Sequence, residues 1–177
     1  EESILYIEQR LSAKTELLLG IGSGVIHDLC KYVSYFHGLK CGIVATAPSM
    51  DGFASYGAPI VADGFKFSFD AKSPEVIIGD TKILAAAPVE LKSAGFGDMI
   101  AKYVGLVDWQ ISTLLTGELY CENVAKLTRD AVDELMEMAD KVTAEDEYTA
   151  GKIFEALLKT GIGMSFMQNS RPASGSE

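Results

Sequence analysis

Four short segments of this chain carry the residue types that chemistry needs. Gly20-Ile21-Gly22-Ser23-Gly24 stands between an apolar run and an amphipathic stretch. Glycines let a backbone turn sharply and approach a ligand, and the N–H groups opening the following helix face an anion such as a diphosphate. The spacing departs from G-x-G-x-x-G, because Val25 takes the third glycine's place, and the lysine of a phosphate-binding P-loop is absent. Taken alone, the segment reads equally well as a tight turn.

Thr46-Ala47-Pro48-Ser49-Met50-Asp51-Gly52 follows a second apolar run. Its hydroxyls and carboxylate would lie beyond the carboxyl end of a strand, where open α/β sheets gather ligands. A turn closed by its own side chains is the plainer alternative. In Ala94-Gly95-Phe96-Gly97-Asp98 the aspartate reads first as a helix N-cap and second as a metal ligand. Lys102, four residues on, would pair with it on the helix surface. Asn169 to Glu177 is a polar string with the composition of a loop.

The elements that must position these segments follow from periodicity. Ile4, Ile7 and Leu11 predict a helix over roughly 2–13, and Leu17-Leu18-Leu19 predicts a buried strand. Val25 to Phe36 continues as a helix that stops at His37-Gly38, and Cys41 to Ala45 is the next strand. Strand, turn, helix and strand make a βαβ unit and hence a parallel sheet. Pro59-Ile60-Val61 and Phe65 to Phe69 flank Asp63-Gly64 as a hairpin, and Val76-Ile77-Ile78 forms a further strand. Beyond Pro88 helical signals take over, at about 88–115, 121–140 and 146–163, with an irregular tail from Asn169. The fold class is therefore α/β, a parallel-sheet part over 1–87 followed by an all-helical part over 88–177.

Composition narrows the function. The 177 residues are 48% hydrophobic and 23% charged, with a formal charge of −10. A globular core is affordable in size, while the acidic balance and the lack of a Lys/Arg cluster argue against a nucleic-acid partner. No stretch is apolar enough to predict a membrane span. Cys30, Cys41 and Cys121, odd in number and widely spaced, read as reduced and mostly buried. The acidic start of the chain lacks a secretory signal, so a cytoplasmic location is the default expectation.

Together and in order, Gly22 to Asp28, Thr46 to Gly52, Asp63-Gly64-Phe65-Lys66, Ala94 to Asp98 and Asn169 to Glu177 resemble the sn-glycerol-1-phosphate dehydrogenases. These belong to the iron-alcohol-dehydrogenase and dehydroquinate-synthase superfamily. The resemblance implies an α/β domain that binds NAD or NADP and a helical domain. It also implies a divalent metal between them, zinc first, with nickel or iron as alternatives. On the matching positions, Gly22, Ser23, Gly24, Val25, Ile26, His27 and Asp28 would hold the cofactor diphosphate. Thr46, Ala47, Pro48, Ser49 and Ser55 would line the cofactor. Asp51 would contact the substrate, and Asp98 would bind both metal and substrate, these two being the catalytic candidates. Lys66 or Arg171 could meet a substrate phosphate.

The implied reaction is reversible reduction of dihydroxyacetone phosphate, a small phosphorylated triose, to sn-glycerol 1-phosphate. The Ser-Met-Asp-Gly and Ser-Arg-Pro-Ala-Ser-Gly-Ser-Glu strings favour it over a glycerol dehydrogenase or a dehydroquinate-synthase-like enzyme. A non-catalytic truncated module is the alternative of a different class. The family completes its metal site with two histidines, the first directly after a segment like Ser170 to Glu177, and neither His27 nor His37 matches. Both ends of the chain are therefore expected to be cut, and these 177 residues alone are expected to be inactive. Homo-oligomerisation is left open.

Overall fold

Glycine-flanked apolar runs place the parallel strands side by side in the computed structural model, which describes residues 2–62, 64–143 and 145–173. Strand β1 (Leu17–Gly22), helix α2 (Gly24–Phe36) and strand β2 (Lys40–Ala45) form the expected βαβ unit, preceded by α1 (Glu2–Glu8). β1 pairs in parallel with β2, Gly22 lying opposite Ala45, and β2 pairs in parallel with β5 (Val76–Gly79), giving the order β1-β2-β5. Between them β3 (Gly57–Ala62) and β4 (Phe65–Asp70) make the antiparallel hairpin. Asp63 of its turn lies outside the described residues, as do Ser174 to Glu177 of the polar string.

The helical half comprises α3 (Thr81–Ala85), α4 (Val89–Thr116), α5 (Glu122–Met136) and α6 (Glu147–Met167). α3 has no counterpart in the sequence periodicity. It is one short turn, started by the Asp80 carboxylate, which accepts from the backbone N–H groups of Lys82 and Ile83. Asp146 caps α6 in the same way through the N–H of Thr149. One core runs through both halves. Cys30, Cys41, Ile43 and Phe53 from the first pack with Met99, Val132, Leu135, Ile153 and Leu157 from the second.

Several expectations need correction. The run Leu17-Leu18-Leu19 is not buried: Leu17 and Leu19 are 49% and 46% exposed. β1 is an edge strand, and α2 packs only against the face that carries Gly20, leaving the alternate residues open. α1 ends at Glu8 rather than near 13, because Ser12 and Thr15 close a turn on each other through Ser12 N–H to Thr15 Oγ1 at 3.0 Å. α5 stops at Met136, with a separate turn at Ala139–Lys141, and α6 runs on to Met167. Cys30 and Cys41 are buried and Cys121 is half-buried, all three as free thiols. Among the described residues no helix is long and apolar enough to cross a membrane.

Candidate active site

The glycine turn and the Thr46–Gly52 loop meet at the carboxyl end of the sheet. β1 and β2 end side by side, and the Thr46 N–H donates to Gly22 O at 2.9 Å. α2 begins at Gly24 with Ser23 as its N-cap, yet the Ser23 side chain caps nothing. The N–H groups of Gly24, Val25 and Ile26 therefore open the helix without an intrahelical or side-chain partner. Gly22, Ser23 and Gly24 are half-buried, and Val25 and Ile26 are exposed. The next two residues turn inward. His27 is 1% exposed and lies edge-on to Phe53, and Asp28 is buried against Lys31. The structure thus leaves five of the seven predicted diphosphate residues half-buried or exposed at the carboxyl end of the sheet and sends His27 and Asp28 into the core.

Lys31, unremarked in the sequence, holds the loop from beneath. Its buried ammonium donates to Gly52 O at 2.6 Å and Gly57 O at 2.5 Å, and it lies 3.2 Å from both Ser55 Oγ and Asp28 Oδ1. Burial pushes its pKa down while Asp28 pulls it back up. Burial likewise raises the Asp28 carboxyl against the opposing pull of Lys31. Phase on the helix was the available signal, since Lys31 shares a stripe with His27, Cys30 and Ser34. Ser55 itself is buried and donates to Gly52 O at 2.7 Å. Ala47 and Pro48 are buried, and Thr46 and Ser49 half-buried.

Asp98 is not an N-cap. It lies inside α4, which starts at Val89 and is preceded by Pro88. Gly95 and Gly161 explain how α4 and α6 reach the loop. A Cβ on Gly95 would stand 1.9 Å from Pro48 O, and one on Gly161 would stand 2.5 Å from Asp51 O. With the backbones this close, the Asp51 N–H donates to Asp98 Oδ2 at 2.9 Å. Lys102 is not a surface partner either. It is 2% exposed, and its ammonium bridges Asp98 Oδ1 at 2.8 Å and Asp51 Oδ2 at 2.9 Å. Thr160 Oγ1 adds a bond to Asp51 Oδ2 at 3.1 Å.

The electrostatics are those of a desolvated ion cluster. Burial raises the Asp51 carboxyl, with the Asp98 charge adding to the rise and Lys102 opposing it. Burial works against the charge of Lys102, but Asp51 and Asp98 outweigh it and raise its pKa. Asp98 retains 27% side-chain exposure, the most open member of the group. Among the described residues no three His, Cys, Asp or Glu side chains gather to hold a metal. Three protein donors are the usual minimum for a catalytic divalent site. The described residues thus do not by themselves fit a metal centre.

The two candidates for a substrate phosphate are placed differently. Lys66 is exposed on β4. Arg171 is buried and makes a two-point contact with Glu118, Nε to Oε1 at 2.9 Å and Nη2 to Oε2 at 3.0 Å.

A family model described as iron-containing alcohol dehydrogenase matches residues 1–88. The chain is 41% identical over 164 residues to a protein of Halalkalibacterium halodurans named glycerol-1-phosphate dehydrogenase (NAD(P)+), covering 93% of this chain and 41% of that one. It is 40% identical over 177 residues to a protein of the same name from Methanosarcina barkeri, covering 100% of this chain and 50% of that one. The chain belongs to the glycerol-1-phosphate dehydrogenase family. It spans half or less of the length of these two family members. The crystal structure of glycerol dehydrogenase from Schizosaccharomyces pombe superposes with a TM-score of 0.81 at 21% identity, covering 93% of this chain and 44% of that one. That likeness shows the shared fold, a parallel sheet followed by helices.

Proposed function

We propose that this chain supplies the cofactor crevice and part of the substrate site of an enzyme that reduces dihydroxyacetone phosphate to sn-glycerol 1-phosphate with NADH or NADPH. The observation that carries the reading is the 40% identity to a glycerol-1-phosphate dehydrogenase through all 177 residues, including the segments of Asp51 and Asp98. The placement of those two carboxylates at the carboxyl end of the sheet supports it.

In this reading the N–H groups of Gly24, Val25 and Ile26 receive the cofactor diphosphate at the positive end of α2. Thr46 and Ser49 face the cofactor beside them, and Ala47, Pro48 and Ser55 shape the loop. The nicotinamide, once bound, supplies the hydride. Asp51 Oδ2 is held by Lys102 and Thr160, which leaves Oδ1 to accept from a substrate hydroxyl and so to choose the face presented to the hydride. Asp98 offers one anionic ligand to a divalent cation, zinc, nickel or iron, whose further donors the described residues do not supply. Because Glu118 matches the charge of Arg171, Lys66 is the stronger partner for the substrate phosphate.

The test compares NADH oxidation by the full-length protein with dihydroxyacetone phosphate and with dihydroxyacetone. A preference of at least about tenfold for the phosphorylated ketone is expected, since a site built around a charged group discriminates strongly against its absence. Equal rates would indicate a polyol dehydrogenase instead.

A further inference from the structure

We infer that Lys102 is a positioning residue: from inside the protein it holds the Asp51 carboxylate in the orientation that receives the substrate. The inference deepens the proposed function and rests on it.

The bonds form a closed ring between two elements 47 residues apart in sequence. The Asp51 N–H binds Asp98 Oδ2, Asp98 Oδ1 accepts from Lys102 Nζ, and Lys102 Nζ lies 2.9 Å from Asp51 Oδ2. Two carboxylates so near each other repel, and turned apart they would swing Asp51 out of the loop's grip. An ammonium between them removes that repulsion and fixes their separation. Partnering Lys102 for stability alone needs only Asp98, one helical turn away. The second contact reaches out of α4 to the residue assigned to the substrate.

The surroundings leave Lys102 little choice of position. It is 2% exposed, and Met99, three residues earlier on α4, meets Thr160, with Thr160 Oγ1 3.7 Å from Met99 Sδ. Thr160 also fixes Asp51 Oδ2. Asp51 Oδ2 is therefore pinned by one cation and one hydroxyl, from α4 and α6 respectively, and Lys102 itself does not reach the crevice.

The experiment uses the full-length protein carrying Lys102→Met, Asp51→Asn or both. It reads KM for dihydroxyacetone phosphate, KM for NADH, and the calorimetric Kd for sn-glycerol 1-phosphate. For Lys102→Met, the first and third are expected to rise about tenfold, while KM for NADH stays within about twofold. Added to Asp51→Asn, Lys102→Met is expected to change neither further, because its effect passes through Asp51. Thr160→Val, which removes the other restraint without removing a charge, is expected to act in the same direction should Lys102→Met fold poorly. Equal losses for NADH and the ketone, or effects of the two substitutions that multiply, would overturn the inference. A wild-type protein with no turnover of dihydroxyacetone phosphate overturns the proposed reaction instead, and is told apart by needing no variant.

Discussion

Gly95 of α4 lies directly beneath the carbonyl of Pro48, so close that a Cβ would stand 1.9 Å from that oxygen. Gly97, two residues on, is exposed and has nothing within 4 Å of its would-be Cβ. The same substitution should therefore have opposite signs at the two sites. Gly95→Ala must push a helix and a loop backbone apart, costing about 3 kcal/mol of unfolding free energy. Gly97→Ala should stabilise by about 0.5 to 1 kcal/mol through helix propensity. Urea unfolding midpoints of the two variants decide it, and a shift of the same sign in both would contradict the assigned packing.

Lys31 is a second point of tension between α2 and the loop. Lys31→Met removes its bonds to Gly52 O and Gly57 O and leaves Asp28 buried without its cation. A loss of about 3 to 5 kcal/mol is expected, as for other broken buried pairs. Adding Asp28→Asn should recover part of that loss, because the orphaned charge is then gone. Chemical denaturation of the single and double variants measures both terms. A double variant as unstable as the sum of the singles would show that the pair is not coupled.

His27 gives the stability a pH dependence of known sign. In the unfolded chain the ring titrates near 6.5, and burial lowers that value in the folded state, the backbone of Gly22 and Val44 pulling it part of the way back. The nearby positive charge of Lys31 lowers it further. Below 6.5 the unfolded chain then binds more protons than the folded one, so stability is lost as the pH falls, at up to about 1.4 kcal/mol per pH unit for one group. Asp28 runs the other way. Its raised pKa means that stability is lost as the pH rises from its unfolded value of 3.8 through its folded one. His27→Leu should flatten the decline between about pH 7 and about pH 5 relative to the unmutated protein. An unchanged slope would show that the ring is not buried neutral.

Ser23 separates helix capping from anion binding. Its side chain caps nothing at the head of α2, so Ser23→Asp places a carboxylate where the helix dipole acts and where the proposed reading seats the cofactor diphosphate. The folded protein should gain up to about 1 kcal/mol from the new cap. NADH should bind the full-length variant roughly tenfold more weakly, since like charges now meet at the helix end. Thermal unfolding and fluorescence titration give the two readings. Unchanged affinity for NADH would move the diphosphate away from this helix.

Much of the fold was legible because its signals are local. The glycine turn between an apolar run and a helical stripe, the hairpin around Gly64 and the three long helices after Pro88 all rest on residues within one or two turns of each other. The strings that carry the family resemblance are equally local, and they placed Asp51 and Asp98 among the candidates. What the chain could not announce is which side of each element is covered. Leu17 and Leu19 read as core and lie open, because burial of a strand depends on what packs on its faces, and α2 takes only one. His27 and Asp28 continue a ligand-like string in sequence, yet helical geometry turns them inward after Ile26. Asp98 read as a cap and Lys102 as its surface partner. Only the tertiary approach of α4 and α6 to the Pro48–Asp51 loop, through bonds spanning 47 and 109 residues, buries that lysine between two carboxylates. Sequence spacing determines which residues share a face of their own element, whereas the desolvation and charge pairing that make a site come from elements far apart along the chain.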